Sequence, residues 1–167
     1  MKYERFEDLP VWKDAIELAV QVDALTGDKA FKGKKSLRDQ IERASVSVSN
    51  NIAEGFERGT TQELITFIYI ARGSAGVVRS MLHLFDRLPR FSNLKPQLYK
   101  LRSRSESISR QLRGWADSLQ NSEIKGQRYL TDKVRTQQQR KKEQDEFDEE
   151  LRRIREAGIA AREAAAK

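Results

Sequence analysis

The sequence predicts an all-α protein: an antiparallel up-down-up-down four-helix bundle with an extended charged C-terminal helix. Helix breakers are scarce, with three Pro and nine Gly among 167 residues. Four long stretches repeat apolar residues three and four positions apart, which is the period of an amphipathic helix, and no stretch alternates as a strand does. The connections between these stretches are short, as between antiparallel neighbours. We therefore expect a bundle over residues 1–125 and a charged helical tail over residues 126–167.

Helix 1 is predicted from about Leu9 to Leu25. Asp8 is a suitable N-cap, and Pro10 lies in the first turn, where a missing N–H costs little. Gly27 ends the helix, and a lysine-rich loop over residues 28–35 follows. The predicted inner stripe consists of Trp12, Ala15, Ile16, Ala19 and Val22.

Helix 2 is predicted from Ser36, with Asp39 in a capping-box-like position, to about Gly55 or Glu57. Ser and Asn compete with the helical backbone for hydrogen bonds, yet they crowd around its apolar stripe. Small residues suit close packing against a neighbouring helix, and buried polar groups need partners. We therefore expect a buried polar network between helices 2 and 3 that sets the geometry of the bundle, in preference to a catalytic role. Its members are Arg43, Asn51, Glu54 and Arg72.

Helix 3 is predicted from a capping box at Thr60 and Glu63 to about Leu88, before Pro89. Its apolar residues cover more than one face, which indicates burial on more than one side and a contact with another subunit. Gly lowers the stability of a helix, so glycines within helix 3 indicate a steric need for a small residue. We therefore predict that another helix approaches closely at the segment Gly73–Gly76, midway along helix 3.

Helix 4 is predicted after Ser92 or Asn93, with Pro96 in its first turn, and ends between Gln120 and Gly126. Its apolar residues alternate four and three apart without a slip, a heptad-like seam. The seam consists of Leu94, Leu98, Leu101, Ser105, Ile108, Leu112, Trp115 and Leu119.

The tail is dominated by charged residues and cannot bury much surface, so it predicts a solvated helix. Phe147, Leu151 and Ile154 form its short apolar stripe. The last residues, Glu163–Lys167, match the unit of semi-rigid helical linkers. A natural Ala-rich end and an engineered end both fit, so we assign no function to them.

The charge of the chain favours an anionic partner. The 32 Lys and Arg residues exceed the 25 Asp and Glu residues, for a net charge of +7, and nucleic acid is the first candidate. Solvated basic faces paired with acidic residues are the alternative. The candidate phosphate contacts lie in the loop before helix 2 and around helix 4. They are Lys32, Lys34, Lys35, Lys95, Lys100, Arg102, Arg104, Arg110 and Arg113, with Lys29 beside them.

Motifs for catalysis, cofactors and metals are lacking. There is no Cys and a single His, His83, which we interpret as a packing or surface residue. No phosphate-binding loop or nucleophile elbow occurs. We expect no enzyme activity, no cofactor and no metal. No apolar run approaches the ~18 residues of a membrane span and no signal peptide is present, so we expect a cytoplasmic protein without a membrane partner.

Three motifs in order resemble the four-helix-bundle family of 23S rRNA intervening-sequence, or S23-type, proteins. The resemblance covers about Phe6 to Leu119. The motifs are Phe6-x-x-Leu9-x-Val11-Trp12-x-x-Ala15, then Gln40-x-x-Arg43-Ala44-x-x-Ser47-x-x-x-Asn51-Ile52-Ala53-Glu54-Gly55-x-x-Arg58, then Phe67-x-x-Ile70-Ala71-Arg72-Gly73-Ser74.

The resemblance implies an antiparallel four-helix bundle that assembles as a homopentamer. A structural relative of the family is the accessory variability protein of diversity-generating retroelements, which partners a reverse transcriptase and its template RNA. Many members of the family carry a Glu shortly after the Gly-Ser of helix 3, where this chain has Ala75, Gly76, Val77 and Val78. The tail also lies outside the family pattern.

Two functions follow from the residues and the resemblance. The first is a non-enzymatic homo-oligomer that binds structured RNA or an RNA–protein complex through basic faces, with an accessory role beside a reverse transcriptase as its sharpest form. The second is a protein-interaction scaffold that assembles into a ring through helix 3 and recruits a partner through the charged tail.

Overall fold

The computed structural model describes residues 3–121, residue 140, and residues 143–144, 146–150 and 152–153. Within these residues there is no strand, and the four predicted helices are confirmed. Their bounds are α1 Pro10–Thr26, α2 Lys35–Glu57, α3 Thr61–Arg87 and α4 Lys95–Gln120. Short 3-10 helices lie at Phe6–Asp8, Lys29–Phe31 and Pro89–Leu94.

The four helices form the predicted up-down-up-down bundle. Each helix packs mainly against two others. Helices α2 and α4 each contact both α1 and α3. The core runs the length of the bundle and contains side chains of all four helices. Its largest fully buried members are Phe56, Phe85, Phe91, Leu18, Ile41, Ile52, Leu64, Ile68, Leu82, Leu98, Ile108 and Leu112.

The inner face of α1 differs from the predicted stripe. Ile16, assigned to the inside, has 37% of its surface exposed, whereas Leu18 is fully buried. The buried apolar positions follow a strict alternation of four and three residues, which is the spacing that keeps one stripe of a helix facing its neighbours. They are Val11, Ala15, Leu18, Val22 and Leu25.

The predicted helix caps have different outcomes. At α3 the Thr60 hydroxyl oxygen accepts a hydrogen bond from the Glu63 N–H at 3.2 Å and contacts the Glu63 carboxylate at 2.8 Å, so this cap is confirmed. The cap predicted at Ser36 is wrong, because α2 begins at Lys35 and its N-cap, Lys34, makes no side-chain hydrogen bond. Asp8 lies in a 3-10 helix, and the N-cap of α1 is Leu9.

Close packing is confirmed at Gly55 and is absent at the glycines of α3. A Cβ at Gly55 would lie 2.6 Å from the Cβ of Phe67, so only Gly fits between α2 and α3 at this point. A Cβ at Gly73 or Gly76 would meet nothing within 4 Å among the described atoms. The two glycines therefore do not make the close approach predicted for Gly73–Gly76. Within that segment Ser74 makes the contact with α2, because its hydroxyl lies 2.9 Å from that of Ser47.

The chain divides into two compact units, Met1–Arg128 and Tyr129–Lys167. The described residues of the second unit, between 140 and 153, are helical, and Phe147 is 63% exposed. The side chains of Leu151 and Ile154, and the segment Glu163–Lys167, lie outside the described residues.

Candidate nucleic-acid interface

Two loops far apart in the sequence meet at one end of the bundle. The Phe31 ring lies 5.2 Å from the Phe85 ring and 4.8 Å from the Phe91 ring, measured between centroids. The Arg90 guanidinium donates a hydrogen bond to the carbonyl of Lys32 at 3.1 Å. Gly33 turns the first loop with a φ of +73°, a conformation that L side chains rarely adopt. The α1–α2 and α3–α4 connections therefore form one surface, built on an aromatic cluster.

This surface, which we call the lysine end, comprises residues 28–35 and 87–95. It contains seven cationic residues and a single acidic residue, Asp28. The cationic side chains are exposed, and none has a carboxylate partner among the described residues. They are Lys29, Lys32, Lys34, Lys35, Arg87, Arg90 and Lys95. Because cations without a carboxylate partner can bind other anions, the lysine end is the strongest candidate for an anion-binding surface.

Helices α2 and α4 both begin at the lysine end. The N-caps are Lys34 and Leu94, and neither makes a side-chain capping hydrogen bond. The first residues are Lys35 and Lys95. A cation at a helix N-terminus opposes the helix dipole, whereas an anion bound there is stabilised by both the dipole and the free N–H groups. The lysines oppose the dipoles of the chain alone, and an anion at this place would offset that opposition.

The four predicted arginines of α4 are already engaged. Arg102 lies 3.3 Å from the Asp86 carboxylate, beside the His83 ring nitrogen at 3.2 Å. Arg104 lies 3.2 Å from the carboxylate of Asp14, which also accepts a hydrogen bond from the Gln111 amide at 2.8 Å. These two pairs tie α4 to α3 and to α1.

The outer two arginines of α4 pair within their own helix. Arg110 lies 2.9 Å from Glu106, and Arg113 lies 3.6 Å from Asp117. Lys100 is exposed and has no such partner among the described residues. Among the residues that the structure describes, the nine predicted nucleic-acid contacts therefore divide into five lysines without a carboxylate partner and four paired arginines.

The four residues of the predicted polar network do not come together. Arg43 is exposed and donates to the Asp39 carbonyl and to Gln40, while Glu54 is exposed and pairs with Arg58 one turn on. Both side chains lie on the exposed side of α2 and away from α3. Arg72, half-buried on α3, has no hydrogen-bond or ion-pair partner within residues 3–121.

Asn51 is the one member of that set that connects to α3, through the small residues. Its amide donates to the carbonyl of Ser47 at 2.7 Å and to the hydroxyl of Ser47 at 3.0 Å. That hydroxyl contacts the Ser74 hydroxyl of α3 at 2.9 Å. The observed link between the helices is therefore a hydroxyl pair supported by one amide.

Sequence reasoning missed Asp28, Arg87 and Arg90 at the lysine end. In an up-down-up-down bundle the α1–α2 and α3–α4 loops must lie at the same end. The topology predicted from the sequence was therefore enough to place Arg87 and Arg90 at the same end of the bundle as the lysines of the 28–35 loop.

Two clefts open at the lysine end. One, of about 490 Å³, has four cationic side chains in its lining: Lys29, Lys32, Lys35 and Arg38. The other, of about 330 Å³, lies between the end of α1 and the start of α4 and is lined by leucine and glutamine side chains. Asp28 lines both clefts, so the two are neighbours.

The outer face of α3 carries exposed apolar residues. Ile70, Val77 and Leu84, spaced seven apart, are 46%, 38% and 44% exposed. Gly73 and Gly76 lie between them without a steric reason in the described chain. This set of five residues is named the α3 outer stripe.

The described part of the chain contains neither a candidate metal site nor a candidate membrane-spanning helix. No group of three or more His, Cys, Asp or Glu side chains there is placed to hold a metal ion. None of the helices described combines the length and the apolar content that crossing a bilayer requires.

Comparison with known proteins identifies relatives of the bundle. The family model described as 23S rRNA-intervening sequence protein matches residues 7–114. A solved structure of a protein of unknown function from the S23 ribosomal protein family of Bacteroides thetaiotaomicron aligns with a TM-score of 0.56 and 22% identity. The alignment covers 64% of this chain and 97% of the Bacteroides chain, and it shows a shared fold. No curated protein matches the chain.

Proposed function

The chain belongs to the family of 23S rRNA-intervening sequence proteins, and from this premise we propose that it is a non-enzymatic bundle protein that binds nucleic acid. The proposed ligand is structured RNA or an RNA–protein complex, and the proposed surface is the lysine end. One observation carries the proposal: seven cations with one acidic residue occupy a single end of the bundle, without carboxylate partners among the described residues.

The chemistry of the lysine end suits phosphate. Lysine ammonium groups bind phosphate as point charges, and binding releases counterions from the nucleic acid. The N-termini of α2 and α4 add the positive ends of two helix dipoles at the same place. Such contacts supply affinity and position without reading bases. We expect the four α4 arginines to contribute less to the affinity for nucleic acid, because a phosphate must compete with their carboxylate partners.

A finer form of this proposal names the partner complex. The template RNA of a reverse transcriptase would suit a basic accessory protein. A reverse-transcriptase gene with a variable repeat beside the gene for this chain would support that form.

The direct test reverses the loop charges and measures RNA binding. The triple variant K32E/K34E/K35E should bind a structured RNA about 10²- to 10³-fold more weakly near 0.1 M salt, because each lysine–phosphate contact contributes about tenfold there. Fluorescence anisotropy at several salt concentrations gives both the affinity and its salt slope. The slope should become shallower by about three, one unit for each lost contact.

A control variant reverses cations that already have partners. R110E/R113E changes four charge units on the exposed side of α4 and should alter affinity by less than about threefold. Equal losses for the triple and control variants would refute the assignment to the lysine end. Salt-independent binding of the unaltered chain would refute phosphate binding altogether.

A second function, self-assembly, is favoured by the α3 outer stripe. An exposed apolar stripe beside helix glycines is costly in an isolated bundle and is typical of an interface. Between Thr66 and Leu84 the only charged residues are Arg72 and Arg79, both half-buried. We propose that this stripe joins copies of the chain into a ring, for which the family resemblance makes a homopentamer the expected species.

Native mass measurement tests the assembly. V77E should shift the protein from the oligomer to the 19.3 kDa monomer, because a charge within an apolar interface lacks a partner. V20E, on an exposed position of α1, is the control and should keep the oligomer. An unchanged mass for V77E would refute the stripe as the interface. In the scaffold function, deleting residues 127–167 should abolish partner binding and leave assembly intact.

A further inference from the structure

The smaller cleft at the lysine end differs in chemistry from the rest of that surface. Its floor is formed by Leu25, Leu94 and Leu101, and its rim carries Gln21, Gln97 and Lys100. The floor leucines are almost entirely buried, so they belong to the core and present a fixed surface. The cleft therefore joins an apolar base to polar edges within about 330 Å³.

The amides of the rim offer both kinds of hydrogen bond. The Gln21 amide nitrogen donates one hydrogen bond to Glu17, which leaves its second N–H to donate and its carbonyl oxygen to accept. Gln97 is exposed, and its amide can both donate and accept. A flat ring with donors and acceptors on its edges, such as a nucleobase, fits an apolar floor with an amide on each side.

The position of Asp28 connects this cleft to the cationic one. Its carboxylate accepts a hydrogen bond from the N–H of Ala30 at 2.7 Å, which holds it as the shared wall between the two clefts. A base in the amide-lined cleft would have its neighbouring phosphates beside Lys29, Lys32 and Lys35. The two clefts thus offer an apolar and a phosphate-binding surface side by side.

We propose that the α1–α4 cleft holds one unpaired base of single-stranded nucleic acid while the lysine end holds the adjoining phosphates. The inference rests on the proposed function and narrows it to unpaired nucleotides. A base within a duplex is covered on both faces by its neighbours and along one edge by its partner, so it cannot enter the cleft.

The experiment fills the cleft and compares two ligands. Ala24 lines the cleft on the exposed side of α1, and A24W places a ring in it without changing charge. V20W, one turn earlier on the same helix, is the matched control. The probes are a fluorescein-labelled single-stranded RNA and the same strand annealed to its complement. Circular-dichroism melting establishes that both variants fold.

A24W should lower the affinity for the single strand about tenfold, the effect of losing one stacked base, and leave the affinity for the duplex unchanged. V20W should change neither. Equal effects of A24W and V20W on the single strand, or an equal loss for strand and duplex, would overturn the base site.

A second measurement leaves the protein unaltered. A strand of the same length made of abasic nucleotides should bind about tenfold more weakly than the RNA with bases. Equal binding would overturn the proposal. Q97A replaces an exposed residue of the rim, and in this variant the abasic strand and the RNA with bases should differ less in affinity. An unchanged difference would refute a contact between the rim amides and the base.

The outcomes separate this inference from the proposed function. If K32E/K34E/K35E weakens both probes while A24W weakens neither, the phosphate surface stands and the base site fails. If the triple lysine variant weakens neither probe, the proposed function itself fails.

Discussion

The lysine end and the arginines of α4 carry the same charge in different settings. At the lysine end, Lys32, Lys34 and Lys35 are exposed and have no carboxylate partner among the described residues. On α4, Arg102 and Arg104 are half-buried, and their partners lie on neighbouring helices. The difference shows that a count of basic residues does not locate a binding surface. The surface is defined by which cations the fold leaves without partners.

The two regions also differ in what they do for the bundle. An arginine paired across a helix interface stabilises the fold, because its charge-assisted hydrogen bonds form only when the helices are packed. A lysine at a helix N-terminus destabilises the fold slightly, because it opposes the dipole. If the comparison is right, removing cations from the two regions should have opposite effects on stability.

The largest stability effect should come from the interhelical arginines. R102A/R104A should lower the free energy of unfolding by about 2 kcal/mol, about 1 kcal/mol for each half-exposed pair after solvent screening. Urea denaturation measures the loss. The matched control is K95A/K100A on the same helix, which should not destabilise the bundle. A similar loss for both double variants would remove the distinction between the two regions.

A single change at the start of α2 should show the opposite sign. K34D supplies an acceptor for the free N–H groups of the first turn and a negative charge at the helix N-terminus. It should raise the free energy of unfolding by about 1 kcal/mol and weaken RNA binding about tenfold. Thermal melting and anisotropy on the same sample check the two effects. A destabilised K34D would mean that Lys34 supports the fold.

The smallest effect should come from the outer arginines of α4. R110A and R113A each remove one pair between exposed residues four apart, worth about 0.3–0.5 kcal/mol. Urea denaturation should find each loss near that size, with RNA affinity changed less than about threefold. If removing Arg110 or Arg113 cost as much stability as removing Arg102 or Arg104, the exposure of an ion pair would not determine its contribution to the free energy of unfolding.

The four helices and their bounds follow from the sequence, because apolar periodicity is a local property. The cap at Thr60 was also predicted correctly, because a capping box is a local pattern too. The polar network failed at Arg43 and Glu54, since residues beside an apolar stripe can turn outward to water. The inner face of α1 was misassigned at Ile16, because several faces of that helix are apolar enough to be chosen.

The sequence by itself determined the all-α class, the order and length of the helices, and the basic character of the chain. Its motifs also predicted the family to which the chain belongs. These properties depend on the spacing and chemistry of neighbouring residues. Only the tertiary structure decided which cations remain free, that the 28–35 and 87–95 loops form one surface, and that an amide-lined cleft adjoins it. Partners such as Arg104 and Asp14 are 90 residues apart, and such distances close only when the helices pack.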